Sequence, residues 1–300
     1  MNRRDALKRM GMAIAAAGVM PLSACCPEKK RVILYFTGTG NSLYVARQLA
    51  DAQTKVLSIP QLMRQERFTF EAEEIGLVYP IYGHMPPNMV RRFLEKAQLK
   101  ADYKFAVLTF GNRKCDAVEI LDRTARKSGI VFDYITTIML VDNWLPNFDM
   151  AEQMKIDKKI PEHLAEIRAD LQQRKQGLQP VTEQERAHHR NFISWTGIDP
   201  EVGFLLKSEQ MFTVTKDCID CGICTYVCPQ GNYALTKQGV TTQGDCECCF
   251  ACIQNCPQHA IQFAKTDNPL FANGELNPNA RYRNEHVSLM DLKRANNQLL

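Results

Sequence analysis

With 300 residues and 45% hydrophobic content, the chain is long enough for one or two globular domains with their own cores, and no stretch is polar enough for wholesale disorder. Its formal charge of +4 sits mostly at the start, where Arg3, Arg4, Lys8 and Arg9 outweigh Asp5; the near-neutral remainder has no basic patch, which excludes nucleic acid as a partner. Of the 12 cysteines, nine fall between Cys218 and Cys256, a clustering that points to metal ligation before disulfides.

The chain opens Asn2-Arg3-Arg4-Asp5-Ala6-Leu7-Lys8, followed by a weakly apolar run from Met10 to Leu22. A charged start and a short apolar run mark a signal peptide, and the run is too short and interrupted for a good membrane span. Arg3-Arg4 resembles a twin-arginine export signal, with Asn2 and Ala6 departing from the usual flanking residues. Leu22-Ser23-Ala24-Cys25 resembles a lipobox, which implies removal of residues 1–24 and a lipid membrane anchor on Cys25, facing the periplasm or cell exterior. The alternative is an amino-terminal helix in which Cys25 and Cys26 are incidental. Twin-arginine export carries folded proteins, which suits a cofactor inserted before export.

Strand-like apolar runs then alternate with helical patterns. The predicted strands are Arg31–Phe36, Lys55–Ile59, Ile75–Tyr79, Phe105–Phe110 and Tyr134–Val141; the predicted helices are Asn41–Ala50, Asn88–Ala97 and Ala117–Lys127. Such alternation predicts a doubly wound α/β domain, a parallel sheet covered on both faces, over residues 31–178. The first strand runs into Thr37-Gly38-Thr39-Gly40-Asn41-Ser42 and then a helix. The loop lacks the lysine of a nucleotide-triphosphate loop and the spacing of a dinucleotide loop. Hydroxyls, close-approaching glycines and the positive end of a helix still make a site for a phosphate dianion; an ordinary glycine turn is the competing reading.

The longer string Ile33, Leu34, Tyr35, Thr37, Gly40, Ser42, Ala46 and Leu49 resembles the flavodoxin signature, with Ser42 where threonine is usual. The resemblance implies FMN on Thr37 to Ser42. Two further loops, Tyr79 to Pro86 and Thr109 to Asn112, follow strands that would end on the same sheet edge, where ligands of open α/β sheets sit. In such a site the first of these loops flanks the ring, with Tyr82 a stacking candidate and Gly83 free to flip its peptide cheaply, and Gly111 and Asn112 of the second are further cofactor-binding candidates. His84 either meets the ring or a substrate, or faces water. Cys115 has no base partner in the sequence and reads as an inert thiol.

Charges and aliphatics interleaved from Met150 to about Lys175, as at Ile160, Leu164, Ile167 and Leu171, predict a helix over that stretch, packed on the first domain. The break at Gln176 to Pro180 opens a polar stretch read as a linker over 179–208. Its adjacent His188 and His189 would point to different sides of a helix with no third ligand nearby, so they read as solvated.

Cys218, Cys221, Cys224, Cys228 and Pro229 follow C-x2-C-x2-C-x3-C-P, and the pattern returns 28 residues later at Cys246, Cys249, Cys252, Cys256 and Pro257. Each triplet suits three irons of one 4Fe-4S cube, while the fourth cysteine reaches the other cube. One cluster would take Cys218, Cys221, Cys224 and Cys256; the other Cys246, Cys249, Cys252 and Cys228. Zinc normally uses paired knuckles instead of triplets ending in Cys-Pro, and disulfides are the third reading. Cys248 falls out of register, either a spare thiol or a rival of Cys249. A small α+β module over 209–265 must fold largely around its clusters.

From residue 31 to about 265 the two halves, in this order, resemble a bacterial family in which a flavodoxin-like domain is fused to a two-cluster ferredoxin. Leu140 to Pro146 resembles a stretch of the same family with an aromatic after asparagine, which makes Trp144 a flavin neighbour or else plain core. The resemblance implies FMN, two 4Fe-4S clusters and electron exchange with a protein or quinone partner. A flavin reductase of a small molecule is the second expectation. The tail, residues 266–300, carries a short helix starting near Ser288 and no legible chemistry.

Overall fold

The computed structural model describes residues 30–145, 148–204, 206–264 and 281–298. Residues 1–29, read from the sequence as a leader with a lipobox and including Cys25 and Cys26, lie outside the described residues. No described helix is long and apolar enough to cross a membrane.

Six parallel strands form the main sheet: β1 Arg31–Tyr35, β2 Thr54–Ser58, β3 Glu74–Pro80, β4 Tyr103–Phe110, β5 Tyr134–Met139 and the two-residue β6 Gly177–Leu178. Their spatial order is β2-β1-β3-β4-β5-β6, so the direction of winding reverses beside β1, as in the flavodoxin-like fold. The helices around the sheet are α1 Asn41–Gln48, α2 Ile59–Arg64, α3 Asn88–Lys96, α4 Ala117–Lys127 and α5 Ile160–Gln172.

The pleat explains why β1 is apolar from Val32 onward. Val32, Leu34 and Phe36 point into one core with Leu62, Val90, Phe93 and Leu121, while Ile33 and Tyr35 point into the other with Leu43, Val45, Leu164 and Ile167. Each such side chain contributes roughly 1.5–3 kcal/mol on burial. The sheet is therefore a rigid two-faced platform with its loops at the carboxyl edge.

Two departures from the sequence reading follow chain position 149. Met150–Gln153 forms only a short helical turn, separated from α5 by Lys159 in left-handed backbone, φ 47°. The segment taken as a linker contains a 14-residue helix, α6 Glu183–Thr196, opened by a Thr182/Glu185 capping box and closed by Gly197 at φ 67°. Its Phe192 and Ile193 pack with Met85, Ile120 and Phe204.

The cysteine-rich unit is a small α+β module. Strand β7 Phe212–Val214 pairs antiparallel with β10 Ile261–Phe263, and β8 Tyr233–Thr236 with β9 Gly239–Thr242; the short helices α7 Ile223–Val227 and α8 Ala251–Gln254 each begin within a cysteine triplet. The described tail, with α9 Leu289–Asn296, lays Val287, Leu292 and Ala295 into the same core as α1 and Val227.

Candidate functional site

The loops at the carboxyl ends of β1, β3, β4 and β5 converge on a cavity of about 410 Å³, within the usual range for small-molecule sites. Its wall includes Gly38, Thr39, Asn41, Tyr82, Gly83, His84, Gly111, Asn112 and Trp144, so residues far apart in sequence meet there. Thr37 and Ser42 lie behind this wall. Thr37 Oγ1 accepts the Gly40 N–H at 3.1 Å, and the Ser42 and Thr109 hydroxyls are 2.8 Å apart. Thr39 Oγ1 accepts from Asn143 Nδ2 at 2.5 Å, which leaves its own proton free to donate.

Gly40, in left-handed backbone at φ 105°, opens α1 without a side-chain cap, leaving the helix's first N–H groups as the positive end of the site. Tyr82 to Met85 closes a tight turn through two reciprocal backbone hydrogen bonds of 2.9 Å, with Gly83 and His84 both at positive φ. A Cβ on Gly83 would lie 2.6 Å from the Phe204 ring, so the turn and the aromatic wall fix each other. Trp144 stands 4.9 Å from Phe250, ring centre to ring centre.

Sequence reasoning missed three parts of this site. Phe192, Trp195 and Phe204 add an aromatic side to the cavity from α6 and the segment after it. His189, read as solvated, is buried and faces His84, with Nδ1 atoms 3.2 Å apart, and Asp116, at 3.6 Å. Burial, then His189, Arg113 and His188, push His84 down to about 3. Cys115 is buried and its thiol is pushed up to about 11, chiefly by burial, which leaves it protonated and inert.

The tail roofs the first loop. Asn284 donates its backbone N–H to the Thr39 carbonyl at 2.9 Å, while Tyr282 Oη and Asn284 Nδ2 donate to Asn41 Oδ1 at 2.8 and 3.0 Å. Asn296, fully buried, donates to the carbonyls of Thr37 and Val227 at 3.0 and 3.1 Å, joining the loop to α7 of the cysteine module.

All ten described cysteines are unbridged. Eight of them meet as two sets of four, Cys218, Cys221 and Cys224 with Cys256, and Cys246, Cys249 and Cys252 with Cys228, while Cys115 and Cys248 stand outside both sets. The Cys224 thiol is pushed up to about 12, by burial first and then by its neighbours Cys218, Cys221 and Cys256. A second, smaller cavity is walled by Cys228, Cys246, Cys249 and Cys252 together with Pro229 and Phe250. Backbone N–H groups of Asn232, Cys248 and Ala260 donate to the sulfurs of Cys228, Cys246 and Cys256 at 3.4, 3.3 and 3.2 Å.

Among the described residues no group of three or more His, Cys, Asp or Glu side chains closes around a single ion. Cys228, Cys246, Cys249 and Cys252 line one small space together, and four thiols are the donor set that a 4Fe-4S cluster takes. The set richest in solvent contact is the first, where Cys221 is exposed. Cys249 belongs to the second set and also lines the large cavity, between Cys248 and Phe250.

No family model and no curated protein matches the chain. Among solved structures, it is similar to a "Putative flavoprotein" from Bacteroides uniformis, at 14% identity over 37% of this chain and 91% of that one, with a TM-score of 0.29. It is also similar to the Trp repressor binding protein from Bacillus subtilis, at 11% identity over 50% of this chain and all of the other, with a TM-score of 0.32. The flavodoxin-like class rests on this chain's own strand order and loop positions.

Proposed function

We propose that the chain is an electron-transferring iron-sulfur flavoprotein. FMN occupies the large cavity, with its phosphate toward Thr39, Asn41 and the amino end of α1; 4Fe-4S clusters occupy the two cysteine sets. The observation that carries this reading is Cys249, a single residue that borders both the flavin cavity and the second cysteine set. Flavin supplies conversion between two-electron and one-electron exchange when bound.

The expected order is then cavity, second set, first set, with the exposed Cys221 marking the end nearest a protein partner. Eight cluster-bound thiolates and an FMN phosphate lower the charge of the loaded protein by about six relative to the bare chain, which favours a basic partner surface. Export by the twin-arginine route and a lipid on Cys25 would hold the protein at a membrane outside the cytoplasm, within reach of a quinone or protein partner. A second reading, a flavin-dependent reductase of a small molecule, is favoured by the aromatic side of the cavity formed by Phe192, Trp195 and Phe204.

Anaerobic purification followed by iron, sulfide and flavin analysis tests the proposal. About eight irons and one FMN per chain are expected; a chain that purifies folded with neither would end it. Stopped-flow mixing of the reduced protein with quinones then separates the readings: saturable turnover favours the reductase, and simple second-order oxidation favours the carrier.

A further inference from the structure

His84, His189 and Asp116 form an array, the last two buried and His84 partly so, that the electron-carrier reading leaves without a task. His84 is on the cavity wall, held in left-handed backbone at φ 70°, with the Phe192 ring packed edge-on at 4.9 Å. Its Nδ1 faces Nδ1 of His189 at 3.2 Å, and that same His189 atom lies 3.6 Å from Asp116 Oδ1, a buried oxygen with no hydrogen-bond partner of its own.

One proton decides this geometry. Two ring nitrogens facing each other at hydrogen-bond distance need one proton between them, since two protons clash and two lone pairs repel. An ionised Asp116 oxygen beside His189 Nδ1 favours the proton on His189, because the alternative sets a carboxylate against a lone pair. His84 Nδ1 must then accept. Its own hydrogen is displaced to Nε2, the nitrogen left for the cavity.

The surrounding groups support neutral rings. Burial, His189, Arg113 and His188 all disfavour the imidazolium of His84. For His189, burial and Arg123 act against charge while Asp116 acts for it. Asp116 is raised by burial and by Glu119 and lowered by His189 and Arg123.

We propose that His84 is held as the neutral Nε2–H tautomer and donates that hydrogen to an acceptor atom on the FMN ring, with His189 and Asp116 as the positioning residues that impose the tautomer. The proposal rests on the flavin reading for its ligand. It makes His84 a fixed hydrogen-bond donor and not a proton carrier, so no proton leaves the ring during turnover.

Two measurements on the cluster-loaded, oxidised full chain test it. In the first, nitrogen-15 histidine NMR, assigned with His84→Gln and His189→Gln, should show His84 protonated on Nε2 and bare on Nδ1 from about pH 5 to 8, with the pattern lost in Asp116→Asn. A proton on Nδ1, or double protonation near pH 6, overturns the tautomer whether or not flavin binds. In the second, FMN affinity is measured by fluorescence. His189→Ala should weaken binding on the order of ten-fold in the parent and leave a His84→Gln background unchanged, because an amide N–H needs no tautomer lock. Equal loss in both backgrounds would make His189 merely structural and overturn its role. A parent chain that binds no FMN removes the flavin reading, while the NMR pattern still decides the tautomer.

Discussion

The carbonyl oxygen of Cys249 occupies the place where a side chain on Gly38 would begin: a Cβ there would fall 2.5 Å from it, and 3.0 Å from the Tyr82 hydroxyl. The cysteine module is thus seated on the first loop of the flavodoxin-like domain with only a hydrogen atom's clearance. Gly38 is not among the positions of positive φ, so closeness alone demands glycine. Gly38→Ala should cost about 1–3 kcal/mol by overpacking against main chain that cannot rotate away. A lowered thermal midpoint together with weakened FMN binding is expected; an unchanged midpoint would mean that the two units do not meet there.

The place of Cys249 between the cavity and the second cysteine set makes a sharper prediction. Cys249→Ser removes a member of the set next to the cavity and should reduce bound iron from about eight to about four per chain, while Cys115→Ser, an inert buried thiol on the other unit, should leave it unchanged. Cys248 contributes its backbone N–H, not its thiol, to Cys246 Sγ, so Cys248→Ala should retain both clusters. Loss of iron in Cys248→Ala would make it the ligand in place of Cys249.

Much of this was legible because it is periodic or local. The apolar runs of β1, β3 and β4 announced strands buried on both faces, and the helix at Ala117–Lys127 stands where its helical spacing put it. The cavity loops followed from strand ends. What stayed hidden is carried by single side chains across long sequence distances. Asn296 meets carbonyls of residues 37 and 227, and an amide on a main-chain oxygen leaves no pattern in composition. Helix α6 looked like a linker because Glu183 to Arg190 is polar, yet Thr182 and Glu185 are a capping pair at the right spacing, a local signal that could have located its start. Its aromatic residues serve a cavity wall instead of a continuous stripe, so periodicity alone passed over them.

Asn296 also predicts how the tail contributes. Its amide satisfies two carbonyls from different units in a fully buried position, and Asn296→Ala leaves both without that donor at a cost of about 1–3 kcal/mol. Asn296→Asp should be no better, since a carboxylate only accepts. Both variants should lose FMN faster than the parent in dilution experiments, because the loop roofed by the tail contains Thr39 and Asn41. An FMN release rate equal to that of the parent would separate the tail from the site.

The pH dependence of stability follows from the half-buried His84. Its folded pKa, held down to about 3, is below the unfolded value of about 6.5, so above that value both states are neutral and the group contributes nothing to pH dependence. As pH falls below about 6.5 the unfolded chain takes up a proton that the native ring refuses. Stability is therefore lost between about pH 6.5 and 3, at up to one proton's slope. His84→Gln keeps an N–H donor and has no proton to gain, so its thermal midpoint should fall less steeply from pH 7 to pH 5 than that of the parent. Parallel curves for the two proteins would show that His84 takes up its proton in the folded state, and with it that the array around Asp116 and His189 does not keep the ring neutral.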